Sequence, residues 1–216
     1  MELRKFGHAC IALEKDGARL VIDPGGLTQE DAFAGAGAVL ITHEHFDHFS
    51  PEKLAAALLA DPALEVWTNA SVAKLFDGPA ARVHVVGEGD TFSVAGFDVT
   101  VHGSWHAPLH PDIPPMPNIG FLVDGRVFHP GDALTVPGVP VETLMLPVHA
   151  PWSRIADLID WVREVRPASA VAVHDGALNP VGHAMVDGFL GDTSPAPIGV
   201  PYTHLRPGER QALSRR

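Results

Sequence analysis

The chain has 216 residues, 46% of them hydrophobic, with 15 Lys plus Arg against 26 Asp plus Glu and a formal charge of −11. That length predicts one domain, residues 1–216, with a large core; no apolar run is long enough to cross a bilayer; and the acidic balance repels phosphate backbones, which argues against a general nucleic-acid binder. A lone cysteine, Cys10, excludes an internal disulfide and a thiolate metal cage and suits a reducing cytoplasm, whereas 13 histidines are many for a chain of this kind.

The opening, Met1 to Phe6, carries charges with no apolar core behind them and does not read as a secretory signal. Ala9 to Leu13 and Arg19 to Ile22 read as a hairpin turned at Asp16-Gly17, and Asp23-Pro24-Gly25-Gly26 ends its second strand. Ala38 to Thr42 is a short apolar run of the buried-strand type. A helix follows, with Ser50 as cap, Pro51 at the first helical position and Glu52 at the positive end of the dipole. Glu65 to Thr68 reads as a strand, Ser71 to Phe76 as a short helix and Arg82 to Val86 as a strand. Two more hairpins turn at Ala95-Gly96 and Asp124-Gly125. Ser153 to Val165 is the clearest helix, with Ile155, Leu158, Ile159, Val162 and Val165 on one face. Ala170 to Val173 is the next strand, Gly182 to Leu190 a helix, and the tail from Pro201 to Arg216 is weakly patterned. Hairpins in both halves, each followed by helices, predict two sheets face to face with helices outside.

The chemistry concentrates in His43-Glu44-His45-Phe46-Asp47-His48, directly after an apolar strand. Alternate side chains on an extended segment share a direction, so His43 and His45 can grip one ion. Asp47 and His48, past the bend, can face a neighbouring one. Imidazole nitrogens and carboxylate oxygens suit zinc without thiolates. Further strand-end candidates are His106, Asp132 and His174; His106 is preferred to His102, which belongs to an alternating strand run. Cys10, in an apolar strand, reads as core.

Thr42-His43-Glu44-His45-Phe46-Asp47-His48 resembles the H-x-H-x-D-H signature of the metallo-β-lactamase superfamily. The later landmarks Gly103-Ser104-Trp105-His106, His129-Pro130-Gly131-Asp132 and Val173-His174-Asp175-Gly176 follow in that family's order. The resemblance implies an α/β fold, the four-layer αβ/βα sandwich. It implies that His43, His45 and His106 hold one ion, that Asp47, His48 and His174 hold a second, and that Asp132 bridges them. Within the superfamily, Phe6-Gly7-His8-Ala9 and Asp23-Pro24-Gly25 look like the small hydrolases related to ascorbate-phosphate lactonase. That likeness implies an early histidine, His8, beside the metals, and makes Asp23 a residue that orients the ligand loop. His110, in a proline-rich loop with Asn118 nearby, and His149, after another apolar strand, are candidate substrate contacts. Histidine at position 45, where redox di-iron relatives carry a carboxylate, argues against oxygen chemistry.

The expected activity is hydrolysis of a small ester, lactone, amide or phosphodiester by a hydroxide that two divalent ions activate, zinc before manganese or iron, with Asp47 as the catalytic base. The alternatives are a nuclease or phosphodiesterase acting on nucleic acid, which charge and length disfavour, and a metal-binding protein without catalysis, which the full ligand set disfavours. The expected partner is a small-molecule substrate in the cytoplasm, with no membrane and no nucleic acid; a homo-oligomer is left open.

Overall fold

Alternation along short apolar strands decides the layers. In the computed structural model, which describes residues 1–76 and 82–213, β2 (Cys10–Lys15) turns Ile11 and Leu13 to one face and Cys10 and Ala12 to the other. β4 (Ala38–Ile41) and β12 (Ser169–Val173) alternate in the same way. One face of each sheet meets the other sheet, where Leu20, Ile22 and Leu40 pack with Phe97, Phe121, Met145 and Val171. The outer face of the first sheet is covered by α1 (Pro51–Ala60) and α2 (Ala70–Leu75) through Leu54, Leu58 and Val72. The outer face of the second is covered by α3 (Ile155–Val165) and α4 (Pro180–Leu190) through Leu158, Trp161, Val186 and Leu190. The result is the αβ/βα sandwich expected from the sequence.

Each sheet has seven strands. The first runs β14 (Arg210–Ala212), β1 (Glu2–Gly7), β2, β3 (Ala18–Ile22), β4, β5 (Glu65–Thr68), β6 (Val83–Val85). The second runs β13 (Tyr202–Thr203), β12, β11 (Thr143–Pro147), β10 (Val127–His129), β9 (Gly120–Val123), β8 (Phe97–His102), β7 (Thr91–Val94). Antiparallel pairs form one side of each sheet and parallel pairs the other. In consequence β1, β3 and β4 point one way, as do β8, β10, β11 and β12 in their own sheet.

Three expectations need correction. The first strand is Glu2–Gly7, ahead of the expected start at Ala9, and His8 lies in the turn between β1 and β2. The tail is not featureless, because β13 and β14 add an edge to each sheet; its residues 214–216 lie outside the described residues. α3 starts at Ile155, two residues later than expected, with Arg154 at its cap. No described helix is long and apolar enough to cross a membrane.

Candidate metal centre

The candidate ligands sit where parallel strands end. His43 to His48 follow β4, His106 lies beyond β8, Asp132 beyond β10 and His174 after β12, while His8 follows β1 and Asp23 follows β3. The structure gathers them into two adjoining groups, His43, His45, His106 and Asp132 in one, and His8, Asp47, His48 and His174 in the other. Backbone strain collects here too. His8, Asp23 and His174 take left-handed φ values of 48°, 52° and 59°, a conformation non-glycine residues rarely hold and that costs of order 1 kcal/mol or more each.

Hydrogen bonds fix which nitrogen each imidazole presents. Asp23 accepts from the Thr42 backbone N–H at 2.8 Å and from the Thr42 hydroxyl at 2.7 Å. With its proton so committed, Thr42 Oγ1 accepts from His43 Nδ1–H at 3.0 Å. His48 Nδ1–H donates to Asp23 Oδ2 at 2.7 Å. His106 Nδ1–H donates to the Ala107 carbonyl and His174 Nδ1–H to the His149 carbonyl, both at 2.5 Å. All four rings are pinned through Nδ1, which turns Nε2 towards a common centre and sets a ligand's tautomer.

Three of the four inward Nε2 atoms lack hydrogen-bond partners. The Nε2 atoms of His48, His106 and His174 and Oδ1 of Asp132 are buried and unsatisfied, an arrangement that a protein avoids unless something else fills it. His43 Nε2 and His45 Nδ1 face each other at 3.0 Å. Asp132 lies among the rings, with Oδ1 3.1 Å from His48 Nε2 and Oδ2 3.1 Å from His174 Nε2 and 3.5 Å from His106 Nε2. Imidazole and carboxylate donors at a closed, strand-end cluster fit divalent metal ions, and zinc is a good match to that donor set.

Burial, reinforced by neighbouring rings, lowers the His43 pKa well below its ordinary value and keeps it neutral. Burial opposes charge on His48 and on Asp132, but each is outweighed by the opposite charges around it. The His48 pKa is raised well above normal by Asp132 and Asp23, and the Asp132 pKa is held well below it, chiefly by His48. Burial also works against Asp47, yet the His8 hydrogen bond and nearby histidines bring its carboxyl down to about 2.

His8 is buried and donates from Nε2 to Asp47 Oδ2 at 3.0 Å, while its Nδ1 accepts the Gly176 N–H at 3.0 Å. It therefore orients Asp47 and has no free nitrogen to offer a substrate. Asp23 occupies the orienting position expected for it. His149 reaches the centre through its carbonyl, and its side chain is exposed. His110 is not brought to the cluster: its side chain is 62% exposed and pairs with Asp112 at 3.6 Å. Asn118 is buried and structural, donating to Pro130 O and accepting the Asp132 N–H, so it offers nothing to a substrate. Cys10 is buried, and burial raises its pKa, leaving an inert thiol.

Some participants left little trace in the sequence. Trp152 Nε1–H donates to Asp132 Oδ2 at 3.0 Å. His129 is fully buried beneath the centre and bonded to the Ala9 carbonyl. Its position one strand residue before Pro130-Gly131-Asp132 was the only available hint.

His102 and His106 separate cleanly. His102 ends β8 paired with Gly120 and lies outside both ligand groups. Replacing His106 by Ala is expected to lower bound metal by about one ion's worth, whereas His102→Ala leaves metal content unchanged. Equal loss in the two variants, read by elemental analysis, would contradict this assignment.

A sandwich of this build, with histidines and aspartates converging at one strand-end edge, is the metallo-β-lactamase fold with its candidate metal site in place. The chain belongs to that superfamily: the β-lactamase superfamily domain matches residues 2–174, ending on the last candidate ligand. The protein Rv0786c of Mycobacterium tuberculosis is 38% identical over 88% of this chain and 91% of its own. The UPF0173 metal-dependent hydrolase TTHA1283 of Thermus thermophilus is 24% identical over 97% of both chains. Among solved structures, the metallo hydrolase Igni18 of Ignicoccus hospitalis superposes with a TM-score of 0.70 at 18% identity, covering 100% of this chain and 99% of its own; at that identity the likeness concerns the fold.

Proposed function

We propose that the centre holds two divalent ions, zinc foremost, and hydrolyses a small ester, lactone, amide or phosphodiester. The observation that carries this reading is the set of buried, partnerless ligand atoms aimed at one another. His43, His45 and His106 would hold one ion and Asp47, His48 and His174 the other, with Asp132 between. Bound there, the ions supply Lewis acidity for a developing oxyanion and bring the pKa of water towards neutrality.

The chain's own groups do the rest. His8, locked as an Nε2–H donor, holds Asp47 in one orientation, and Asp47 positions the attacking water and takes its proton. Asp23 and Thr42 keep the ligand loop in register. Phe46 and Trp105, 69% and 60% exposed, are neighbours in sequence of ligands from opposite sheets and offer apolar contact to the non-reacting part of a small substrate.

Elemental analysis of purified protein is expected to give at least two divalent ions per chain. A panel of esters, lactones, amides and phosphodiesters is expected to contain a substrate whose turnover disappears with a chelator and returns with zinc. Protein that arrives metal-free and refuses both zinc and manganese would overturn the proposal.

A further inference from the structure

One residue past His174 the chain enters a second cluster of ligand-type side chains. Asp175, after β12, lies with its Oδ2 2.9 Å from Nε2 of His204, which follows β13. His183, in the first turns of α4, places Nδ1 3.3 Å from the same His204 Nε2. One ligand atom from each of the three residues lies within 4.8 Å of the others. A tetrahedral ion at about 2.0–2.1 Å from its ligands sets them roughly 3.3 Å apart, so the spacing needs only small adjustment.

The outer atoms are already oriented. His204 Nδ1–H donates to Asp187 Oδ1 at 2.7 Å, and the same oxygen accepts from Tyr202 Oη–H at 3.0 Å. A carboxylate behind the imidazole fixes the tautomer that leaves Nε2 available for a metal. Asp175 uses Oδ1 for the buried ammonium of Lys5 at 3.0 Å and keeps Oδ2 for the cluster. The three residues open onto a cavity of about 600 Å³, also lined by Leu178, Asp187 and Arg206, which leaves room for a water or a ligand group at a fourth position.

We propose that Asp175, His183 and His204 form an additional site for zinc or a similar divalent transition metal, separate from the strand-end centre. Occupied, it ties α4 and the segment after β13 to the end of β12, the strand that carries His174. The competing arrangement has a proton in the cation's place, with a charged His204 bridging Asp175 and Asp187. The two differ in what they ask of His183: a metal needs its lone pair, and the proton bridge does not.

The test is metal stoichiometry with His183→Ala. The His183 ring is half-buried and its contact in the cluster is with the His204 ring, so this variant leaves the Asp175–His204–Asp187 chain intact. Metal-stripped wild-type protein, titrated with zinc by calorimetry and with cobalt by visible absorption, is expected to bind one ion per chain more than His183→Ala. Zinc is also expected to raise the wild-type melting temperature beyond that of the variant. His106→Ala, damaged only at the other centre, should keep the extra ion. His183→Gln, matched in circular dichroism, guards against a folding defect in the alanine variant. Equal stoichiometry in wild type and both folded variants overturns the proposal, whatever number of ions the strand-end centre holds.

Discussion

Replacing Asp47 by Asn is expected to leave a folded protein that retains an ion on His43, His45 and His106, while turnover of its substrate falls by roughly 10²–10⁴-fold, the usual worth of a positioned base. The substitution preserves size and one oxygen but removes charge and basicity. It also changes the partner of His8, whose Nε2–H now meets a neutral amide in place of a carboxylate at 3.0 Å. The carboxyl held down to about 2 makes Asp47 a good anionic ligand and a weak base, so the decisive arm is metal excess. If turnover returns fully once zinc is saturating, with metal content and circular dichroism measured on the same sample, Asp47 only holds an ion and proton transfer belongs to another group. If the deficit persists at full occupancy, Asp47 acts on the reacting water.

A second large effect is expected where no ligand is touched. Gly25 lies with its backbone against the ligand loop, and a Cβ there would stand 2.1 Å from Asp47 C and O and 2.4 Å from His48 N. Neighbouring Gly26 donates its N–H to the Phe46 carbonyl at 2.6 Å. Because the clash is with backbone, neither loop can yield by rotating a side chain. Gly25→Ala should cost about 3 kcal/mol or more, at or beyond the upper end of ordinary overpacking, and should displace Asp47 and His48 enough to weaken metal retention. Gly188, exposed in α4 with nothing within 4 Å of its Cβ position, is the matched control: Gly188→Ala should add about 0.5–1 kcal/mol through helix propensity. Urea midpoints measure both. A Gly25→Ala protein as stable and as metal-replete as wild type would mean that the two loops are not packed this closely.

What the sequence disclosed follows from how local each signal is. Three of the hairpins were legible because Asp16-Gly17, Ala95-Gly96 and Asp124-Gly125 take positive φ at both positions, which is the requirement of the tight turns that join twisted strands. The cluster's first four candidate ligands were legible because they share one short segment, and His106, Asp132 and His174 because strand-end context and family order marked them as candidates. β1 was missed because Lys5 looks like a surface residue; it is fully buried, and the partner that explains this, Asp175, is far away in sequence. Backbone partners were equally hidden. The carbonyls of Ala107 and His149 orient His106 and His174, and carbonyls carry no residue signature. His183 and His204 gave no signal of their own, since a helix and a two-residue strand bring them together only in the finished fold.

The dense segment from His43 to His48 has a consequence for how the protein is made. Those side chains can chelate a cation while the rest of the chain is still unfolded, since closing so short a loop costs little entropy. His106, Asp132 and His174 join only after both sheets have formed. An ion that binds the unfolded chain as well stabilises the native state by the difference of the two affinities and not by the full native value. A divalent ion therefore serves this fold better as a late arrival than as a guide to assembly, and the pinned rings, held by Asp23, Thr42 and two carbonyls, order the centre before it comes.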